Sequence, residues 1–394
     1  MKAIVNTKLV MEDGIIWDGA VLFDEEKIIS VGKRCEVDIS GADEVIDAGG
    51  LYTAPGLIDM HNHGSTEHSF ADNPAEAARF FLSHGITTVL PTLYHNISKE
   101  GMIESAKKIR EASKVGAGKI MRGLYMEGPF MSLMGSMQNQ IKWTGEIKES
   151  DYVDLIESFG DMVLVWAIDP DRQNIEAFME YASKKTPQAV FAHGHSRATF
   201  ESCVKLARRY KIGIRTHIIN AGQAPARCQS RNGAGGDQHC FCEPDMFAEL
   251  ICDETGVHVP PGFVKMIIRT KGFEKVCIIS DHTTVTGAER YKNNEEKGIW
   301  YGPDLNYDDE GMLSGSLMTL ENGVRNVMTH SGYGLCHAIR MASLNPAMAV
   351  GIDTEVGSLE AGKRANLVIM DDAVNIKKVF LDGELAVEDG KLLI

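Results

Sequence analysis

Two histidines stand one residue apart at the end of an apolar run, in the segment APGLIDMHNHG at residues 54–64. Because side chains alternate between the two faces of a strand, His61 and His63 are predicted to point the same way. Imidazoles are common metal ligands, but a His-x-His pair also occurs as surface or hydrogen-bonded histidines. The pair alone therefore leaves metal binding open.

Four further polar residues follow apolar runs, and they strengthen the metal hypothesis. They are Glu127 in LYMEGP, His195 in FAHGHS, His217 in IRTHIINA and Asp281 in CIISD. A carboxylate that ends an apolar run is costly to bury without a partner. His193 also precedes His195 by two residues, so we expect both on one face, with His193 one layer deeper as a packed and hydrogen-bonded histidine.

These residue types indicate hydrolytic metal chemistry. Nitrogen and oxygen ligands without cysteine favour zinc, iron(II) or manganese. A single catalytic zinc needs about three protein ligands, so five candidate ligands and Asp281 allow two ions bridged by a water and by Glu127. Such a pair would lower the pKa of bound water to about 7 and polarise a carbonyl oxygen. Metal-assisted hydrolysis is the predicted reaction class.

A larger scaffold must bring these distant residues together. The middle of the chain alternates short apolar runs with amphipathic helical patterns, which indicates βαβ units. We predict an α/β fold in which eight such strands close a (β/α)₈ TIM-type barrel over residues 53–350. The active site of such a barrel lies at the carboxyl ends of its strands, where the six candidate residues fall.

Both ends of the chain read as short strands separated by tight turns such as Asp13-Gly14 and Asp382-Gly383. We predict that residues 1–52 and 351–394 pair to form one small discontinuous β-sandwich domain.

The composition of the 394 residues excludes several classes of protein. The formal net charge is −15, and no block of lysine and arginine occurs, which disfavours nucleic acid as a partner. No apolar run approaches the roughly 18 residues of a membrane span, and no signal-like segment is seen at the start. We predict a cytoplasmic protein that binds neither membrane nor nucleic acid.

The eight cysteines are irregularly spaced, which is typical of reduced thiols. Cys228, His239, Cys240 and Cys242 could ligate a structural zinc, but the usual two-residue gap between paired cysteines is missing. Free thiols in a long loop are the favoured interpretation.

Several motifs in one order give the chain a resemblance to a known family. The motifs are APGLIDMHNHG, LYMEGPF, AHGHSRAT, THIINA, IISDHT, GMLSGSLMTLENGVRN, LNPAMAVGI and GSLEAGKRANLVIMD. Over nearly its whole length the chain resembles the amidohydrolase superfamily, and within it the N-acetylglucosamine-6-phosphate deacetylases.

The resemblance implies a metal-dependent deacetylase with two divalent ions, zinc first and iron(II) or manganese as alternatives. Glu127, His195 and His217 would hold one ion, and the His61–His63 pair would supply the second site. Asp281 would be the general acid and base, taking a proton from the attacking water and passing it to the departing amine. The products would be acetate and an amino-sugar phosphate.

The resemblance also implies substrate contacts. Asn220 and Ala221 match a pair that approaches the sugar phosphate in the family, and His258 matches a histidine that contacts the sugar. The arginine near the phosphate would be Arg227 or Arg231. Relatives are commonly homodimers, so a homodimer is expected here.

Two departures from the family pattern affect recognition of the substrate. Met137 stands where the family usually carries a histidine, and the loop over residues 222–245 is rebuilt. Alternatives to N-acetylglucosamine-6-phosphate are therefore N-acetylgalactosamine-6-phosphate, another N-acyl small molecule or a cyclic amide. A non-catalytic relative is disfavoured because the candidate ligands are all retained.

Overall fold

The computed structural model describes residues 1–132, 141–143, 145–220, 234–285, 302–308 and 311–394. The strands in these ranges are β1 (Lys2–Val10), β2 (Ile15–Asp24), β3 (Lys27–Lys33), β4 (Glu44–Asp47), β5 (Tyr52–Pro55), β6 (Leu57–Asn62), β7 (Ile86–Tyr94), β8 (Leu124–Glu127), β9 (Val163–Ile168), β10 (Val190–His193), β11 (Ile212–Arg215), β12 (Phe247–Ile251), β13 (Val276–Ile279), β14 (Leu305–Tyr307), β15 (Leu313–Ser316), β16 (Leu367–Met370), β17 (Ile376–Leu381), β18 (Glu384–Glu388) and β19 (Lys391–Leu392).

Helices lie between most of the central strands. Within the described ranges they are α1 (Pro74–Ser83), α2 (Lys99–Ala112), α3 (Glu149–Phe159), α4 (Ile175–Lys185), α5 (Phe200–Ala207), α6 (Gly236–Cys242), α7 (Pro261–Lys271), α8 (Leu320–Ser331), α9 (Leu335–Met341) and α10 (Leu344–Val350). Short 3₁₀ helices cover Gly116–Ile120, Gly160–Met162 and Phe273–Lys275. None of the helices in the described ranges is long and apolar enough to cross a membrane.

The strands β6 to β13 form one parallel sheet in chain order. Its first and last strands meet at their carboxyl ends, where the N–H of Asp281 donates to the carbonyl of His61 at 3.0 Å and the N–H of His63 donates to the carbonyl of His282 at 2.8 Å. The interior is filled by apolar side chains from alternating positions, and the opposite faces of the strands pack under the helices. The (β/α)₈ barrel is thus confirmed.

The two ends of the chain join in a separate nine-stranded sheet, in which β5 lies between β1 and β16. Phe23 on β2 and Phe380 on β17 are four strands apart in the sheet order, yet their ring centroids are 5.7 Å apart. A flat sheet would separate them by about 19 Å, since neighbouring strands lie about 4.8 Å apart. The sheet therefore folds back on itself around an apolar core, which confirms the discontinuous sandwich; the domain boundaries stay a prediction.

The contact between Phe23 and Phe380 should be a main source of stability in this sheet. Phe380 is fully buried, so replacing it by alanine should cost about 3–5 kcal/mol through lost burial and a residual cavity. Urea unfolding followed by far-ultraviolet circular dichroism measures the loss. Trp17 in the same sheet is 70% exposed, and Trp17→Ala should change stability by no more than about 0.5 kcal/mol. Equal losses in the two variants would contradict this account.

Candidate metal centre

The structure brings the six predicted catalytic and metal-binding residues together at the carboxyl ends of the barrel strands. His61 lies in β6 with His63 directly after it, Glu127 ends β8, and His195, His217 and Asp281 follow β10, β11 and β13 by two residues. Strand ends that are far apart in the chain thus meet at one mouth, as the barrel geometry requires.

Glu127 lies at the middle of this cluster. Its Oε1 is 3.1 Å from Nε2 of His195 and 2.9 Å from Nε2 of His217. Its Oε2 is 3.3 Å from Nε2 of His61 and 3.1 Å from Nε2 of His63. Each carboxylate oxygen thus faces one pair of imidazoles, which is the arrangement expected of a carboxylate shared between two neighbouring sites.

Asp281 faces only one of these pairs. Its Oδ1 is 3.3 Å from Nε2 of His63 and 3.6 Å from Nε2 of His61. The backbone of Asp281 is held by β6 and by Ser316, whose N–H donates to the Asp281 carbonyl at 2.7 Å. Asp281 also has φ of +50°, in the left-handed region that non-glycine residues occupy chiefly where surrounding contacts enforce it. The backbone that carries this carboxylate is therefore held in place.

The donor set fits divalent metal ions. The ligand atoms of two groups of side chains each lie within 4.8 Å of one another, and Glu127 belongs to both. One group adds His61, His63 and Asp281, and the other adds His195 and His217. Buried imidazoles and carboxylates that converge in this way are typical of zinc, iron(II) and manganese sites.

Without an ion, protons balance the charge of the carboxylates. Burial acts to lower the pKa of His63, but its hydrogen bonds to Asp281 and Glu127 raise that pKa to about 9. Burial likewise opposes protonation of His61, while the carboxylates of Glu127 and Glu249 raise its pKa well above the ordinary value. The pKa of His195, in contrast, is lowered, mainly by burial. The metal-free cluster therefore holds protons on the His61–His63 side.

Metal binding should release these protons. With a pKa of about 9, His63 is protonated at pH 7 in the metal-free protein, whereas a metal ligand must be neutral. Affinity for the ion at the His61–His63 pair should therefore rise by about tenfold or more per pH unit between pH 7 and pH 9. Chelator competition across this range measures the slope. A metal affinity that is flat from pH 7 to pH 9 would contradict the assignment of the protons.

Sequence reasoning missed two buried polar residues beside the cluster. Glu249 lies in the middle of β12 and is fully buried, and a lone charge inside the apolar run FAELIC was the available signal. His95 directly follows β7, is 2% exposed, and neither of its ring nitrogens has a hydrogen-bond partner in the described structure. Burial lowers the pKa of His95 to about 4, so this imidazole is neutral. Its position after a strand end, like that of His195, was the signal.

The expectation for His193 was wrong in two respects. Its ring packs against His239 of α6, with centroids 5.1 Å apart, outside the barrel, and neither ring nitrogen has a hydrogen-bond partner among the described residues. The alternation of faces holds only inside a strand, and β10 ends at His193. The chain bends at His195, which is the one of these two histidines that contacts Glu127 at the mouth.

Two of the predicted substrate residues lie close together beyond β11 and β12. The side-chain amide of Asn220 is 3.5 Å from the His258 carbonyl, at the outer limit of a hydrogen bond. The ring of His258 is buried between Asp253, whose Oδ2 is 3.1 Å from Nδ1, and the Gly315 carbonyl, 3.2 Å from Nε2. The other positions singled out for substrate recognition, Ala221, Arg227, Arg231 and Met137, lie outside the described residues.

The cysteine-rich segment shows no metal site in its described part. His239 and Cys240 are buried whereas Cys242 is exposed, and no group of possible ligands among the described residues contains any of the three. Cys228 lies outside the described residues. The cysteines of the described ranges are free thiols, but Cys240 and Cys242 lie in helix α6, so the expected loop is wrong there.

Comparisons with known proteins agree with this geometry. The model of a family described as the amidohydrolase family matches residues 52–386. An N-acetylglucosamine-6-phosphate deacetylase of Haemophilus influenzae is 26% identical over 390 residues, which cover 97% of this chain and 98% of the relative. An N-acetylgalactosamine-6-phosphate deacetylase of Escherichia coli O157:H7 is 25% identical over 350 residues, which cover 84% and 87%.

A solved structure shows the same fold. The crystal structure of N-acetylglucosamine-6-phosphate deacetylase from Pasteurella multocida superposes with a TM-score of 0.83, at 23% identity, over 98% of this chain and 99% of that one. The likeness covers the barrel together with the sheet built from both termini.

Proposed function

Because the chain belongs to the amidohydrolase family, we propose that it is a hydrolase that removes the N-acetyl group of an amino-sugar phosphate, with N-acetylglucosamine-6-phosphate as the first substrate. The observation that carries this proposal is the division of four imidazoles between the two oxygens of Glu127, with Asp281 beside one pair. The products are acetate and the amino-sugar phosphate.

The proposed centre holds two divalent ions, with zinc as the first choice. Glu127, His195 and His217 hold one ion, and Glu127 with the His61–His63 pair holds the other. Such ions, when bound, supply Lewis-acid polarisation of the amide carbonyl and a lowered pKa for the attacking water. All of these side chains except His63 are buried, which largely excludes bulk water and strengthens each electrostatic contact in the site.

Asp281 is the proposed general base and acid. Burial acts to raise its pKa, but the hydrogen bond from His63 and the nearby imidazoles lower that pKa below the ordinary value, so the carboxylate is ionised at neutral pH. It accepts a proton at a carboxylate oxygen as water attacks the acetyl carbonyl. It then returns that proton to the amine nitrogen as the carbon–nitrogen bond breaks.

Of the proposed substrate residues, Asn220 and His258 lie beyond β11 and β12. Ala221 with Arg227 or Arg231, which lie outside the described residues, would complete the proposed set. An arginine suits the phosphate because its planar fork binds phosphate oxygens in pairs. We also propose a cytoplasmic homodimer; the free thiols of the described ranges support a reducing compartment, and light scattering tests the dimer.

Acetate release tests the substrate directly. N-acetylglucosamine-6-phosphate should be turned over with a kcat/KM at least about 100-fold above that of unphosphorylated N-acetylglucosamine, since loss of two or more charge-assisted hydrogen bonds costs this much. N-acetylgalactosamine-6-phosphate is measured beside it, because a relative that bears this name aligns with similar identity. Metal content is counted on the same protein. Two bound ions without turnover of any of the three sugars would overturn the substrate assignment and point to other small amides.

A further inference from the structure

Glu249 is a buried carboxylate that the proposed mechanism does not use. It lies in the barrel interior in the middle of β12 and is 0% exposed. A carboxylate is costly to bury, and replacement of buried ionic groups by apolar ones is often neutral or stabilising. A role in the stability of the barrel therefore gives a weak account of Glu249.

Glu249 makes two close hydrogen bonds, and both lead to the metal centre. The Oε2 of Glu249 is 3.0 Å from Nδ1 of His61 and accepts the backbone N–H of His217 at 3.1 Å. Its Oε1 has no hydrogen-bond partner in the described structure. The ring of Tyr125 tilts over His61 at a centroid distance of 4.4 Å, and its hydroxyl is 2.7 Å from Oγ1 of Thr216. Glu249 thus contacts one candidate ligand through its side chain and another through its main chain.

We propose that Glu249 is a positioning residue of the metal centre. By accepting the Nδ1–H of His61, its carboxylate fixes the tautomer in which Nε2, the nitrogen on the side of Glu127 and Asp281, is left to bind the ion. A carboxylate bonded to the far nitrogen of a histidine ligand orients the ring and raises the basicity of the ligand. This inference rests on the proposed metal centre.

The geometry also predicts which ion depends on Glu249. Only the backbone of His217 is held, whereas the ring of His61 is held directly. Loss of the carboxylate should therefore weaken the ion at the His61–His63 pair and largely spare the ion held by His195 and His217. Glu249 would then decide whether the centre is filled by one ion or by two.

Metal titration of the full chain tests this role. Chelator-treated protein and its Glu249→Ala and Glu249→Gln variants are titrated with Zn²⁺ by competition, and Co²⁺ spectra report the geometry of each ion. We expect two ions in the unchanged chain, and an affinity for one of them that is about 100-fold lower in the alanine variant and about 10-fold lower in the glutamine variant. Glutamine retains more because its amide oxygen still accepts the two hydrogen bonds.

Glu321→Gln is the matched control. Glu321 is also buried and bonded to a histidine, with its Oε1 2.8 Å from Nδ1 of His84, but it lies outside both groups of candidate ligands. This variant should bind both ions as the unchanged chain does. An equal loss in Glu321→Gln would overturn the specific role of Glu249.

The remaining outcomes are also decisive. Folded Glu249 variants that bind both ions with unchanged affinity and unchanged Co²⁺ spectra would overturn the role of Glu249 and leave the proposed metal centre standing. If Glu249→Ala does not fold, Glu249→Gln decides by the same criterion, since it keeps the size of the side chain. A chain that binds no ion would overturn the proposed metal centre, and this inference with it.

Discussion

Asp281→Asn should lower kcat by about 10²–10⁴-fold while KM changes little, because the general base and acid is removed and the substrate contacts remain. Asparagine has the same shape as aspartate but neither accepts nor returns a proton at neutral pH. The amide oxygen can still face the imidazole pair, so bound metal should stay near the value of the unchanged protein. Acetate release and metal counting on the same samples measure both quantities.

Asp382→Asn provides the control for Asp281→Asn. Asp382 is likewise a buried aspartate, but it lies between β17 and β18 in the terminal sheet and pairs with Arg364 at 2.7 Å. Its replacement should leave kcat unchanged. Full activity in Asp281→Asn would refute the proton-transfer role, and a loss of activity matched by a loss of metal would make Asp281 chiefly a metal ligand.

The barrel and its site could be predicted because two simple rules act together. Parallel strands that alternate with helices must close or stack, and polar residues that follow such strands meet at one edge. The positions of Glu127 and Asp281 after apolar runs carried this information without any alignment. The pairing of both chain ends could be predicted in the same way, since edge strands need partners.

Strand limits and irregular pairing could not be predicted from periodicity. Between Asp59 and Asn62, β6 has three steps where β7 has two between Val89 and Pro91, so β6 carries a bulge. A bulge re-aims the side chains beside it, and this one includes His61, a member of the metal cluster. The same limitation explains the error at His193. The alternation of faces ends with β10 at His193, so it does not extend to His195.

Glu249 shows a further limit of sequence reasoning. Its charge inside an apolar run signals a buried carboxylate but not its partner, because His61 lies 188 residues away in the chain. Only closure of the barrel between β13 and β6 brings β12 within reach of β6. Residues that act through a ligand thus cannot be identified until the fold is known, whereas the ligands can be predicted from their residue type and their position after a strand.

Glu127→Gln should have the largest effect on metal binding, because one side chain is shared by both proposed ions. The substitution leaves one oxygen in place of two and removes the negative charge that faces four imidazoles. Loss of a residue that is only bonded to a ligand lowers metal affinity by up to about 100-fold. Because Glu127 is proposed as a ligand itself, we expect the affinity for each ion to fall by at least about 100-fold, and acetate release to fall with it. Metal counting after gel filtration and chelator competition measure the two affinities.

The two metal affinities of Glu127→Gln also test whether Glu127 is a ligand of both ions. If Glu127 bridges the sites, both ions weaken, whereas a ligand of one ion alone would leave the other at its original affinity. Loss of the charge has a second consequence, since Glu127 helps to raise the pKa of His63 to about 9. In the variant that pKa should fall, so less proton release should accompany any remaining metal binding at pH 7. Glu321→Gln, which removes a carboxylate from a histidine outside the cluster, should change neither quantity.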